Sequence, residues 1–183
     1  MSQEVDLRYP IGQVEDQPFS HKTEFDEEVK QSYLADIKFC PTALENAILN
    51  LDEHQLNTPY RPGGWTVKQV IHHVADSHMN AYIRTKLALT EDNPSIKPYD
   101  EAAWAELYDA KNLPVNVSLT LLHALHSRWC ELMNTFTEEQ WQKSFFHPEH
   151  KRKIKLWDMI GTYSWHCKHH TAHITSLRER MGW

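Results

Sequence analysis

Four histidines stand close together near the C-terminus: His166, His169, His170 and His173. Two imidazoles four residues apart on a helix lie one above the other, and such a pair can grip one divalent metal. His166/His170 and His169/His173 both have that spacing. The apolar residues around them separate the two pairs. Leu156, Ile160, Tyr163, Cys167, His170, Ile174, Leu177 and Met181 recur at steps of four and three, the stripe by which a helix seats itself on a core. At about 100° per residue, His170 falls on that stripe and His166 about 60° from its centre, whereas His169 lies about 120° away and His173 about 80°. The inward pair is His166 and His170, with His173 as a neighbour able to support it from behind. Cys167 also faces inward, but a lone buried thiol commonly fills space as a small hydrophobe.

A third ligand can come from His72, His73 or His78. Here Val67, Val70, Ile71, Val74, His78, Ala81, Tyr82 and Thr85 form the apolar stripe. Periodicity therefore favours His78, and His73 sits on the flank above Ser77 and Asn80. Three neutral imidazoles and no carboxylate would leave a metal its full charge and an open position, the form of a catalytic zinc site. Such a metal lowers the pKa of a water to about 7, and it deprotonates a coordinated thiol outright. Two chemistries follow: hydrolysis of a small-molecule substrate, or transfer of a low-molecular-weight thiol to an electrophile. A non-catalytic, metal-holding interaction protein is the reading from another class. It would need Cys167 or His78 as a fourth ligand. Zn2+ is the expected metal, and the Irving–Williams order lets Ni2+ or copper replace it during purification.

The elements that must position these residues are helices. Apolar positions from Phe25 to Leu51 recur at helical spacing, interrupted by Pro41, which removes a backbone donor and is expected to kink the helix. The run from Asn57 to Gly64 is dense in turn residues and reads as a loop. Thr66 and Gln69 form a capping box that opens a helix running to about Thr90. Asp100 caps a short helix to Tyr108, and a longer one covers about Ser118 to Phe136. Thr137 to Gln140 can cap one extra turn, and 145–155 reads as two short extended pieces. The last helix runs from Leu156 to Met181, with Gly182 as its stop. Four main helices in one domain, residues 1–183, make an all-α four-helix bundle. The first twenty residues, with Pro10, Gly12 and Pro18, read as an extended arm over it.

Composition agrees. Of 183 residues only 5 are glycine, while 13 are histidine. A net charge of −6 opposes nucleic-acid binding, which needs a basic face. The basic run from His150 to Lys155 reads as a solvated turn. Three cysteines without paired spacing read as reduced thiols, and no stretch is long and apolar enough to span a membrane. A cytoplasmic protein is expected.

Longer motifs carry a resemblance. They are Leu7–Gly12, Tyr60-Arg61-Pro62-Gly63-Gly64-Trp65-Thr66-Val67, His72 to Asn80, Trp165-His166, His169-His170, Ala172-His173-Ile174 and the closing Arg180-Met181-Gly182-Trp183. In order and over nearly the whole chain they resemble the YfiT family of metal-dependent hydrolases, a branch of the DinB-like superfamily. The resemblance implies a four-helix bundle, typically a homodimer, with a three-histidine metal site. Its first ligand, eight residues after the tryptophan that opens the second helix, corresponds to His73, and its helical pair to His166 and His170. It thus sets His73 above His78, as packing of the second helix on two sides, one against a partner subunit, would allow. YfiT-like proteins are also similar to bacillithiol S-transferases, and the motifs hold no evident general base, which favours thiol transfer chemically. Tyr60, Arg61 and Trp65 lie beside the metal helix, where they either line a pocket for an anionic substrate or brace the loop. Arg84 reads as a surface or interface charge.

Overall fold

The computed structural model describes residues 6–17 and 24–183; residues 1–5 and Pro18, part of the N-terminal reading above, lie outside the described residues. In chain order the elements are α1 (Glu27–Ala47), α2 (Glu53–Leu56), α3 (Val67–Thr90), α4 (Glu101–Ala105), α5 (Tyr108–Asn112), α6 (Val115–Asn134), α7 (Glu138–Trp141), β1 (Ser144–His147), β2 (Arg152–Lys155) and α8 (Leu156–Met181).

Local chemistry sets the helix ends. The Asp26 carboxylate accepts from the Val29 amide, and Glu27 and Glu28 add negative charge to the first turn of α1, where the helix dipole favours it. Thr66 and Gln69 complete both bonds of the predicted capping box. Gly182, at φ 69°, takes the left-handed conformation that ends α8. The α1 helix runs through Pro41, which is buried. A single turn not expected from the sequence pattern, α2, has its own capping box on Asp52 and Gln55. The short helix expected to reach Tyr108 ends at Ala105, and a separate α5, not expected from the pattern, begins at Tyr108.

Packing brings α1, α3, α6 and α8 together as a four-helix bundle. The α1 helix packs on α8 and α6, and α3 packs on the same two from the opposite corner. The centre holds Ile37 and Leu44 of α1, Ile71 of α3, Leu122, Trp129 and Met133 of α6, and Leu156, Ile160 and Ile174 of α8, all fully buried. Burying one such side chain is worth about 1.5–3 kcal/mol, against about 1 kcal/mol for a cap. The apolar stripes therefore orient the helices, and the caps set where they start. Trp129 donates its indole N–H to Thr85 Oγ1 at 3.0 Å, joining α6 to α3.

The predicted extended pieces form an antiparallel hairpin, with Ser144 opposite Lys155 and His147 opposite Arg152. Most of the basic run is therefore strand β2 and its turn rather than a free loop. Among the described residues, no helix is long and apolar enough to cross a membrane.

Candidate metal centre

The two sides of α3 carry its histidines to different places. The helix packs against both α6 and α8, with His72 and His78 reaching α6 and His73 reaching α8. Both packing partners belong to the same chain, so the second packed side calls for no partner subunit. His72 places Nδ1 2.7 Å from Ser118 Oγ and Nε2 3.1 Å from the Leu113 carbonyl oxygen. His78, favoured by periodicity, is fully buried, with Nδ1 2.7 Å from His126 Nε2 and Nε2 3.1 Å from His166 Nδ1. Both residues thus commit both ring nitrogens. Among the described residues, His73 makes no side-chain hydrogen bond; its ring meets those of Trp65, His166 and His170, with centroids 4.6, 5.4 and 4.8 Å away.

The α8 pair completes the group. The His166 and His170 rings stand 4.4 Å apart, and the ligand atoms of His73, His166 and His170 all lie within 4.8 Å of one another. Two nitrogens on one zinc are at most about 4 Å apart, so the spacing is close to that of a metal-binding trio. Burial, reinforced by neighbouring imidazoles, depresses the pKa of all three: His73 to about 4, and His166 and His170 well below the ordinary histidine value. At neutral pH the rings are uncharged and offer lone pairs, as a metal requires.

A second trio, His169, His170 and His173, has equally close ligand atoms. It is less available. His173 bonds through Nε2 to the Arg8 carbonyl oxygen at 3.0 Å, and its Nδ1 stands 3.4 Å from His170 Nδ1. His173 thus stands between the His170 ring and the backbone of Arg8 in the N-terminal arm. His169 stacks on Trp165 at 4.2 Å, and among the described residues its buried Nδ1 has no hydrogen-bond partner.

The other sequence candidates divide. Tyr60 stacks on His173, with centroids 4.0 Å apart. Arg61 donates Nε–H to the Tyr60 hydroxyl and Nη1–H to the Pro62 carbonyl, both at 3.1 Å. In this structure Arg61 braces the loop. Cys167 is buried beside Cys40, its thiol pushed well up, chiefly by burial. Cys167 and His78 are both engaged elsewhere, so neither fourth ligand considered above is free.

A cavity of about 1250 Å³ opens beside His166. Ser77, Tyr99, Tyr163 and Arg84 line it together with the hairpin, and Tyr60, Arg61 and Trp65 do not. The expectation of Arg84 as a surface or interface charge gives way to a half-buried place in the cavity wall. Tyr163 donates its hydroxyl to the Ser77 carbonyl at 3.2 Å, and the Ser77 hydroxyl lies 3.3 Å from the same phenol oxygen. Tyr99 also hydrogen-bonds Ser77. Burial raises both phenol pKa values, so Tyr99 and Tyr163 stay protonated and act as donors. Sequence reasoning missed this hydroxyl group because Tyr99 sits in a proline-flanked loop, remote in sequence from the other two.

Comparison with known proteins agrees with the geometry. Residues 37–174 match the DinB superfamily. A Bacillus cereus (strain 03BB102) protein named "Putative metal-dependent hydrolase" is 56% identical over 178 residues, 97% of this chain and 99% of that protein. A Bacillus anthracis (strain CDC 684 / NRRL 3495) protein of the same name is 55% identical over the same shares. Among solved structures, YfiT from Bacillus subtilis, described as "a probable metal-dependent hydrolase with an unusual four-helix bundle topology", superposes with a TM-score of 0.92 at 48% identity, over 98% of this chain and 99% of that one. The bundle, the paired histidines of α8 and these likenesses over nearly the full length agree: the chain belongs to the DinB superfamily, among its YfiT-like members.

Proposed function

We propose that His73, His166 and His170 hold one divalent metal, and that the protein is a metal-dependent enzyme acting on a small molecule in the adjoining cavity. The observation that carries this reading is how the buried imidazoles are engaged. His72 and His78 have both nitrogens bonded, while His73, with no side-chain hydrogen bond among the described residues, stands beside the inward pair of α8. The names of the Bacillus relatives support the same reading.

When bound, the metal supplies Lewis acidity, which polarises a substrate oxygen and acidifies a water or thiol. The chain supplies the rest. Three neutral imidazoles leave the ion's charge undiminished. The protonated phenol of Tyr99 offers a hydroxyl to orient a substrate oxygen, Tyr163 holds Ser77 in place through the Ser77 carbonyl, and Arg84 offers a cation to an anionic group. An all-imidazole donor set suits zinc, and nickel or copper can take its place.

Hydrolysis is the reaction named for the relatives. Thiol transfer, with a small bacillithiol-like thiol as co-substrate, draws support from a different observation. Among the described residues, no carboxylate makes a hydrogen bond or ion pair with the histidine trio, and an ionised thiol needs no general base. A homodimer is the proposed working form. Exposed Val117 and Leu121, four residues apart on α6, with exposed Leu113 just before that helix, support it, and sedimentation velocity tests it.

The deciding experiment compares zinc-loaded wild type with the His73→Ala variant on two panels. One holds esters and amides; the other pairs small thiols with a model electrophile. Turnover in one panel, lost in the variant, identifies the reaction. No zinc-dependent turnover in either panel contradicts the enzyme reading.

A further inference from the structure

A chain of three imidazoles joins the backbone of α1 to the proposed metal centre. His126 on α6 turns Nδ1 to the carbonyl oxygen of Ile37 on α1. Its Nε2 lies 2.7 Å from Nδ1 of His78, and Nε2 of His78 lies 3.1 Å from Nδ1 of His166. His126 and His78 are 1% and 0% exposed, so water does not compete for these bonds.

The proton positions follow by elimination. A carbonyl oxygen only accepts, so Nδ1 of His126 carries a hydrogen. A neutral imidazole has one N–H, so Nε2 of His126 is an acceptor and Nδ1 of His78 must donate to it. By the same count Nε2 of His78 is bare, Nδ1 of His166 donates, and Nε2 of His166 is left with its lone pair. Neutrality follows from burial: an imidazolium here would lie in the core without a carboxylate among its hydrogen-bond partners, at a large desolvation cost. The direction cannot be reversed, because its first acceptor is a carbonyl.

We propose that the Ile37 carbonyl, acting through His126 and His78, fixes His166 as the Nδ1–H tautomer and thereby presents its Nε2 to the metal centre. His126 and His78 are positioning residues. A ligating histidine is ordinarily oriented by a carboxylate, a carbonyl or water on its other nitrogen; here two further histidines carry that influence across the bundle. The tautomer assignment stands on the hydrogen bonds alone, whereas its consequence for metal affinity rests on the proposed ligand set.

The test separates the two. In metal-free protein labelled with 15N-histidine, long-range 1H–15N correlation reads the tautomer of each ring. His126, His78 and His166 are expected to carry hydrogen on Nδ1; hydrogen on Nε2 of His78 or His166 overturns the proposal. Zinc competition then compares His78→Phe with His78→Gln, whose amide keeps one donor and one acceptor. The Phe variant is expected to lose roughly 10–100-fold in affinity at unchanged stoichiometry, and the Gln variant to keep most of it. Equal loss in both, or none in the Phe variant, overturns the positioning role. Wild type that takes up no zinc defeats the ligand reading, while the 15N spectrum still decides the tautomers.

Discussion

His78 Nε2 stands 3.1 Å from His166 Nδ1, and this contact separates two histidines of one helix into different roles. It occupies the last free nitrogen of His78 and leaves His166 with Nε2 alone to offer. His73, five residues earlier on α3, meets His166 through ring contact only. A ligand and its support are thus told apart by which nitrogens are already bonded, since burial is common to both.

His72 follows as a structural residue. His72→Ala strands the Ser118 hydroxyl and the Leu113 carbonyl, both bonded to the ring in wild type. The expected cost is about 1–3 kcal/mol of stability, read from urea unfolding, with metal content unchanged. A loss of metal in this variant would make His72 a ligand.

Acid should destabilise the metal-free protein. Burial lowers the pKa of His126 and of His73 from 6.5 to about 4. Between those values the unfolded chain takes up protons that the folded chain refuses, so stability is full above pH 6.5 and falls as the pH drops towards 4. Each such histidine contributes a slope of about 1.4 kcal/mol per pH unit within the window. Urea midpoints measured across that range test the sign, and a flat profile would contradict the buried, neutral imidazoles.

Tyr163→Phe removes a hydroxyl from the cavity wall without touching the histidine trio. Metal content should stay at the wild-type value while kcat/KM falls roughly tenfold or more, a factor of ten being about 1.4 kcal/mol. Full activity in this variant would remove the hydroxyl group from substrate binding.

Gly64 holds the loop before α3 against its neighbours. A Cβ there would stand 2.7 Å from Arg61 Cγ and 3.0 Å from Tyr60 Cε1. Gly64→Ala should cost about 1–3 kcal/mol by overpacking and displace Tyr60 from the His173 ring. Thermal unfolding and the His173 resonances report the two effects.

Much of this was legible in the sequence, for physical reasons that differ by residue. The Thr66 cap, the Gly182 stop and the α8 stripe depend on local chemistry, and each lies where the pattern placed it. That His166 and His170 turn toward His73 was legible because one helix face is apolar and they border it. The choice between His73 and His78 was not legible from periodicity, because α3 is buried both against α6 and against α8. Burial then fails to single out the metal side, and only the resemblance pointed to His73. Ser77, Tyr99 and Tyr163 were invisible because they come from three separate segments, and no spacing within one element announces them. The supports from Ile37 and Arg8 are backbone carbonyls, which no side-chain pattern records.

The central claim is the identity of the ligands, and metal analysis tests it most directly. Wild type and the His73→Ala, His170→Ala and His169→Ala variants are each loaded with zinc, desalted and measured for metal per chain by mass spectrometry. One zinc per chain is expected in wild type and in His169→Ala, and none in His73→Ala or His170→Ala. Zinc retained in His73→Ala but lost in His169→Ala would contradict it and move the site to His169, His170 and His173.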